Sequence, residues 1–131
     1  MPYLHIQISG AADASLAARV AQAGTELTAR VLGKDPSLTA VAIDFIDPRQ
    51  WFIGGKPLAD APHRSYHWMV SITDETNTKR EKSAYLEAVH GTMRELLGGV
   101  AEHSYVHVAD LRASAYGYGG KTQEHRYQHP A

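Results

Sequence analysis

Sliding the chain against itself by 65 residues lays residues 32–55 over residues 97–120 without a gap, and nothing else in the sequence constrains the fold as tightly. Leu32, Gly33, Val41, Gly54 and Gly55 meet identical partners at Leu97, Gly98, Val106, Gly119 and Gly120, and aromatic Trp51 meets Tyr116. Five identities in 24 positions would be thin alone, but they coincide with one order of elements written twice. In residues 3–9, Leu4, Ile6 and Ile8 share one face while Tyr3, His5, Gln7 and Ser9 share the other, the alternation of a half-buried strand. Asp13 can cap a helix over residues 14–32, where Leu16, Val20, Ala23, Leu27 and Val31 recur at helical steps. Gly33 and Pro36 stop it. Val41, Ile43 and Phe45 form a second strand, and residues 51–55 read as a short hairpin or turn closed by a double glycine.

The second half repeats this. Trp68, Val70 and Ile72 alternate; Thr78 and Glu81 form a capping box; Leu86, Val89, Met93, Leu96 and Leu97 make a helical stripe closed by Gly98 and Gly99. Residues 105–111 are a strand and residues 116–120 a second glycine-ended turn. A strand-helix-strand unit makes its two strands parallel, with a right-handed crossover. The predicted fold is therefore α/β (α+β): two tandem β-α-β units in one four-stranded sheet, with both helices on one face. One domain spans residues 1–131, with repeats at 2–55 and 66–120, a proline-containing polar linker at 56–65 and a polar tail at 121–131. The tail is expected to strap a neighbouring subunit. No third layer is left for the other sheet face, so self-association into a homo-oligomer is the expected cover.

Composition narrows the function. A formal charge of −1, from 13 basic against 14 acidic residues, creates no field that draws nucleic acid or an acidic membrane. Cysteine is absent, which excludes disulfides and thiolate metal sites. Neither a signal peptide nor a spanning apolar segment is legible, so the expected location is cytoplasmic. His103 and His107 lie roughly 13 Å apart along a predicted strand, too far to share an ion, and no metal is expected. The double glycines follow aromatics and open no helix, so no phosphate loop is expected either.

Chemistry concentrates at the start of the chain. Proline is small enough for Met1 to be trimmed, which leaves Pro2 as a free secondary amine at the head of a strand. An amine can act as a base or nucleophile; an amide nitrogen can do neither. An α-amino group titrates near pH 8, so burial or a nearby cation must push it down for work as a base at neutral pH. Lys79 and a protonated His107 are the cations considered, with a solvated helix face and a packed strand histidine as their structural alternatives. Asn77, at a helix start, offers either an anion site or a cap.

An amino-terminal proline, a strand, a helix ending at Leu32 and Gly33, a second strand and then aromatic-X-X-Gly-Gly together resemble the tautomerase superfamily, in particular 4-oxalocrotonate tautomerase. Residues 2–55 resemble one short subunit, and residues 66–120 a second copy without its proline. This doubled format is similar to the fused members, among them the cis-3-chloroacrylic acid dehalogenases and the malonate semialdehyde decarboxylases. The resemblance implies the tautomerase/MIF-like fold, a homotrimer of doubled chains, Pro2 as the catalytic residue, and Trp51 and Tyr116 as an aromatic wall. The family's arginines do not carry over. Ala11 and Ala12 stand after the first strand, Ala42 and its repeat partner His107 hold another such slot, and residues 74–77 read Asp-Glu-Thr-Asn. Threonine and asparagine cannot reproduce a bidentate grip on a carboxylate, which disfavours a dicarboxylate substrate.

The expected activity is a cofactor-independent keto-enol tautomerase, with Pro2 as general base on a small unsaturated keto or enol acid. Trp51, Tyr116, His107, Asn77 and Lys79 are the expected substrate contacts. Two alternatives stay open: Pro2 as a general acid in hydration, decarboxylation or dehalogenation, and a non-catalytic ligand-binding or interaction protein on the same scaffold.

Overall fold

The computed structural model describes residues 1–130, so Ala131 of the tail lies outside the described residues. The first unit is β1 (Tyr3–Ser9), α1 (Ala14–Leu32) and β2 (Ala40–Ile46), followed by a small hairpin of β3 (Phe52–Ile53) and β4 (Lys56–Pro57). The second is β5 (Tyr66–Thr73), α2 (Lys79–Leu97) and β6 (Tyr105–Leu111), followed by β7 (Gly117–Tyr118), β8 (Lys121–Thr122) and α3 (Gln123–Gln128). Local chemistry explains the matching boundaries. The Asp13 carboxylate accepts the Leu16 amide at 3.1 Å, and both halves of the Thr78–Glu81 capping box are formed. Each helix runs for 19 residues and ends on a left-handed glycine, Gly33 or Gly98, both at φ 70°.

The sheet order is β2-β1-β5-β6. β1 and β2 are parallel, as are β5 and β6, and the units join through antiparallel β1 and β5, with Ile6 opposite Trp68. The first strand of each unit is thus central, with its helix-facing residues buried, while the second strand is a half-buried edge. The antiparallel seam also has a consequence for function. Equivalent ends of the two units lie at opposite ends of the sheet.

Leu4, Ile6, Ile8, Trp68, Val70 and Ile72 point to the helices and pack with Leu16, Val20 and Leu27 of α1 and Tyr85, Val89 and Met93 of α2. Gly24 lets α1 approach the sheet closely: a Cβ there would stand 3.0 Å from Leu4 Cδ2 and 3.3 Å from the Trp68 ring. Gly24→Val is therefore expected to cost about 1–3 kcal/mol by overpacking, read as a lower denaturant midpoint at an unchanged slope.

One sequence boundary changes here. Residues 56–57 of the predicted linker are the return strand of the hairpin, and Leu58 is buried. Within the chain, the Gln123 backbone amide donates to Tyr116 O at 2.9 Å, and the Arg126 guanidinium lies 3.8 Å over the Tyr118 ring. Gln123 is buried and Arg126 stacks, although Gln123 Oε1 and Arg126 Nε have no hydrogen-bond partner.

Candidate active site

Pro2 immediately precedes β1; it is buried, and its carbonyl accepts the Ala40 amide at 3.2 Å, fixing it to the head of β2. Three other segments arrive at this end. α1 runs back over the sheet, so the residues just past its last turn, Lys34 and Asp35, come to the head of β1. β5 finishes here at Thr73 and turns through residues 74–78 into α2. β6 finishes at Leu111 and leads on to Tyr116.

The chain-terminal amine of Met1 is held below the ordinary α-amino range. Burial is the largest cause, the Lys34 ammonium adds to it, and the Asp35 carboxylate partly opposes both. Burial also pushes Lys34 below the usual lysine range, against the pull of the Glu81 and Asp110 carboxylates. Its Nζ donates to Thr76 Oγ1 at 2.8 Å, and that hydroxyl donates in turn to Thr73 O at 2.6 Å. The Tyr116 and Thr73 hydroxyls share a 2.5 Å hydrogen bond, which places the Tyr116 ring at the same end, where burial raises its phenol above the usual value. Beside them lies a cavity of about 430 Å³ lined by Thr73, Asp74, Glu75, Arg112, Ala113, Ser114 and Glu124. Glu75 takes a left-handed φ of 62°, which swings the chain out of β5 along the cavity wall.

Of the residues expected around a substrate, the structure brings Pro2, Tyr116 and the Asn77–Lys79 turn to one end of the sheet. Asn77 does structural work there: its Nδ2 donates to Leu32 O at 2.9 Å and closes the end of α1. Lys79 is exposed on the first turn of α2. His107 sits level with His5 along the sheet, on the face away from the helices, and bonds to His67. It is about 10 Å along the strand direction from Pro2. Trp51 goes to the opposite end, around a cavity of about 370 Å³ with Phe52, Ile53, His103 and Tyr105. The physical reason is the antiparallel seam, which sends the two aromatic hairpins of one chain to opposite ends. Within one chain they do not form a common wall.

Sequence reasoning missed Lys34 and Arg112. For Lys34 a signal existed: a crossover helix runs antiparallel to its strands, so a cation just after its terminal glycine must return to the head of the first strand. Arg112, one residue past β6, repeats the position of Asp47, and nothing in its surroundings in sequence marked it.

Two β-α-β units in one four-stranded sheet give the chain a tautomerase-like fold. The sequence agrees, since residues 2–61 match the family model described as Tautomerase enzyme. The family likeness in sequence is thus carried by the first unit, and the whole chain has the 4-OT/MIF-like fold. No curated protein matches it in sequence. Among solved structures, Pt0534 inactivated by 2-oxo-3-pentynoate is similar at a TM-score of 0.81 and 15% identity, over 94% of this chain and 97% of that one. The F6 fused 4-OT wild-type asymmetric trimer is similar at a TM-score of 0.80 and 17% identity, again over 94% and 97%. The macrophage migration inhibitory factor-like protein of Entamoeba histolytica is similar at 0.76 and 16%, over 92% and 97%. Likeness at such identities carries the fold.

Proposed function

We propose that the chain, once Met1 is trimmed, is a cofactor-independent tautomerase in which Pro2 is the general base for a small unsaturated keto or enol acid. It works as a cytoplasmic homotrimer, whose assembly covers the open sheet face. One observation carries this reading: the terminal amine at the head of β1 is partly buried beside Lys34, and both influences favour its neutral form at physiological pH. Removal of Met1 would place the free amine on Pro2, one residue along and itself buried at the head of β1.

In the reaction, the neutral Pro2 nitrogen takes the proton of an enol hydroxyl and becomes a secondary ammonium. The enolate electrons close to a carbonyl, and the same proton returns to the conjugated carbon. Atoms and charge balance with no cofactor. Lys34 keeps the base unprotonated and offers a cation to the developing oxyanion. Tyr116 supplies an aromatic surface with a polar tip.

The cavity favours a monoacid. Arg112 is the one guanidinium on its wall, against Asp74, Glu75 and Glu124. A second substrate carboxylate would meet like charge, so enolic phenylpyruvate is the better probe than the diacid 2-hydroxymuconate. The general-acid alternative draws on Asp35, which stabilises the ammonium, but that is the smallest of the three influences on the amine.

The test is a pH–rate profile of wild type and Lys34→Met on enolic phenylpyruvate, with intact-mass analysis and alkylation by a 3-halopropynoate. A base works only when deprotonated, so wild-type kcat/KM should rise through a limb below the ordinary α-amino value of about 8. Lys34→Met is expected to move that limb to higher pH and to lower the rate at neutral pH about tenfold. Superimposable profiles, or a label landing away from Pro2, would sink the proposal.

A further inference from the structure

Lys34 is held by a hydroxyl, although carboxylates stand around it. Asp35 is its neighbour in the chain, and the Glu81 carboxylate of α2 and the Asp110 carboxylate of β6 both act on it. Each of the three is engaged elsewhere. Asp35 Oδ1 accepts the Ser37 amide at 2.9 Å and the Ser37 hydroxyl at 2.7 Å. Glu81 Oε1 accepts the Thr78 amide at 2.8 Å inside the capping box, and Asp110 Oδ2 takes Lys82 Nζ at 2.6 Å. Lys34 Nζ donates instead to Thr76 Oγ1 at 2.8 Å.

Thr76 belongs to the second unit, in the turn between β5 and α2, and that turn is fastened to the end of α1 twice. Asn77 Nδ2 holds the backbone at Leu32 O, and Thr76 Oγ1 holds the Lys34 side chain two residues on. The turn is itself set by Asp74, whose amide donates to Leu111 O at 2.8 Å, and by left-handed Glu75. Thr76 is not among the residues lining the cavity of about 430 Å³.

We propose that Thr76 is a positioning residue for the proposed base: its hydroxyl fixes the Lys34 ammonium beside the terminal amine without cancelling its charge. The proposal rests on the reading of Pro2 as that base. It gives the second unit, which has no terminal proline of its own, a part in the site of the first.

Proton placement makes the hydroxyl a one-way partner. Thr76 Oγ1 has a single hydrogen, which goes to Thr73 O at 2.6 Å rather than to Asn77 Oδ1 at 3.5 Å. Toward Lys34 it can only accept. The bond leaves the ammonium its full charge, whereas a carboxylate in the same place would offset the field at the amine. A lysine stem is flexible and its head strongly hydrated, so an unheld ammonium spreads over many positions. Held, it acts on the amine from one place and favours the neutral form. Glu81 and Asp110, bonded elsewhere, still favour the protonated lysine.

The test reads the amine directly. In the full chain with nitrogen-labelled proline, NMR follows Pro2 alone through its titration, because every other proline is an amide. Thr76→Val, close in shape but without the hydroxyl, is expected to move that titration up by about half a pH unit. On enolic phenylpyruvate, kcat/KM at neutral pH should fall about threefold. The change is smaller than for Lys34→Met because Thr76 is exposed and the loosened lysine stays in the neighbourhood. Thr76→Ser keeps the hydroxyl and should titrate as wild type does. In a Lys34→Met background, Thr76→Val should add nothing. A mere tether between the units would lower the thermal midpoint and leave the Pro2 titration in place.

Three results overturn the proposal and spare the base reading: Thr76→Val titrating with wild type while Lys34→Met shifts, Thr76→Ser failing to restore the wild-type value, or the full Thr76→Val shift surviving without Lys34. A Pro2 nitrogen that does not titrate, or that Lys34→Met leaves unmoved, overturns both.

Discussion

Pro2→Ala is expected to lower kcat/KM on an enolic keto acid by about 10²–10⁴-fold, with most of the loss in kcat. The fold has little stake in the ring. Pro2 contributes its carbonyl to the Ala40 amide, and alanine retains that carbonyl. What changes is the proposed base. Proline presents a secondary amine whose nitrogen is tied into a ring and cannot rotate away from the head of β1, while alanine presents a primary amine free to turn about its N–Cα bond. Lys34, Tyr116 and Arg112 remain, so substrate binding and KM should move less than turnover. Steady-state kinetics with matched intact masses and thermal melts separate the two effects. Equal rates in both proteins would leave the ligand-binding reading of the scaffold.

The fold was legible because the duplication left it twice in the sequence. The predicted helix at 14–32 and the strand cores around Val41, Trp68 and residues 105–111 lie where the structure has them, since alternation and capping act locally. Helix signals at Asp13, Gly33, Thr78 and Gly98 work through hydrogen bonds within a turn or so of the chain. The matching family model over residues 2–61 agrees with the resemblance drawn from the proline and the aromatic-X-X-Gly-Gly turn.

The site was only partly legible, and the reason is topological. Trp51 and Tyr116 occupy equivalent places in the repeat, which in sequence looks like proximity to one substrate. The units meet antiparallel, so equivalence in sequence means opposite ends in space. His107 failed as a cation for Pro2 by parity: odd positions of β6 face away from the helices, whereas Pro2 shares the helix-facing parity of Leu4. Lys34 is the converse case. It is remote from Pro2 in sequence and unremarkable beside Gly33, yet the crossover brings it to the terminal amine. Its position follows from the path of α1, which periodicity alone does not convey.

Trp68→Ala should be the most damaging single core change, at about 3–5 kcal/mol. Trp68 is 0% exposed at the centre of the sheet, where the two units meet. Its ring packs against Gly24 of the first unit, and its Nε1 donates to the Tyr85 hydroxyl at 3.0 Å. That hydroxyl is 2.9 Å from Thr28 Oγ1, so the buried chain Trp68–Tyr85–Thr28 ties β5 and α2 to α1. Alanine removes the largest fully buried side chain and one partner of a buried hydroxyl together. Tyr85→Phe isolates the polar part, and about 1–3 kcal/mol is expected for stranding the indole N–H and the Thr28 hydroxyl. Guanidinium unfolding of both variants tests the ranking, with a lower midpoint at an unchanged slope as the signature of lost stability in one cooperative unit. A reduced slope for Trp68→Ala would mean instead that the halves unfold separately, and then the duplication would survive in the energetics as well as in the sequence.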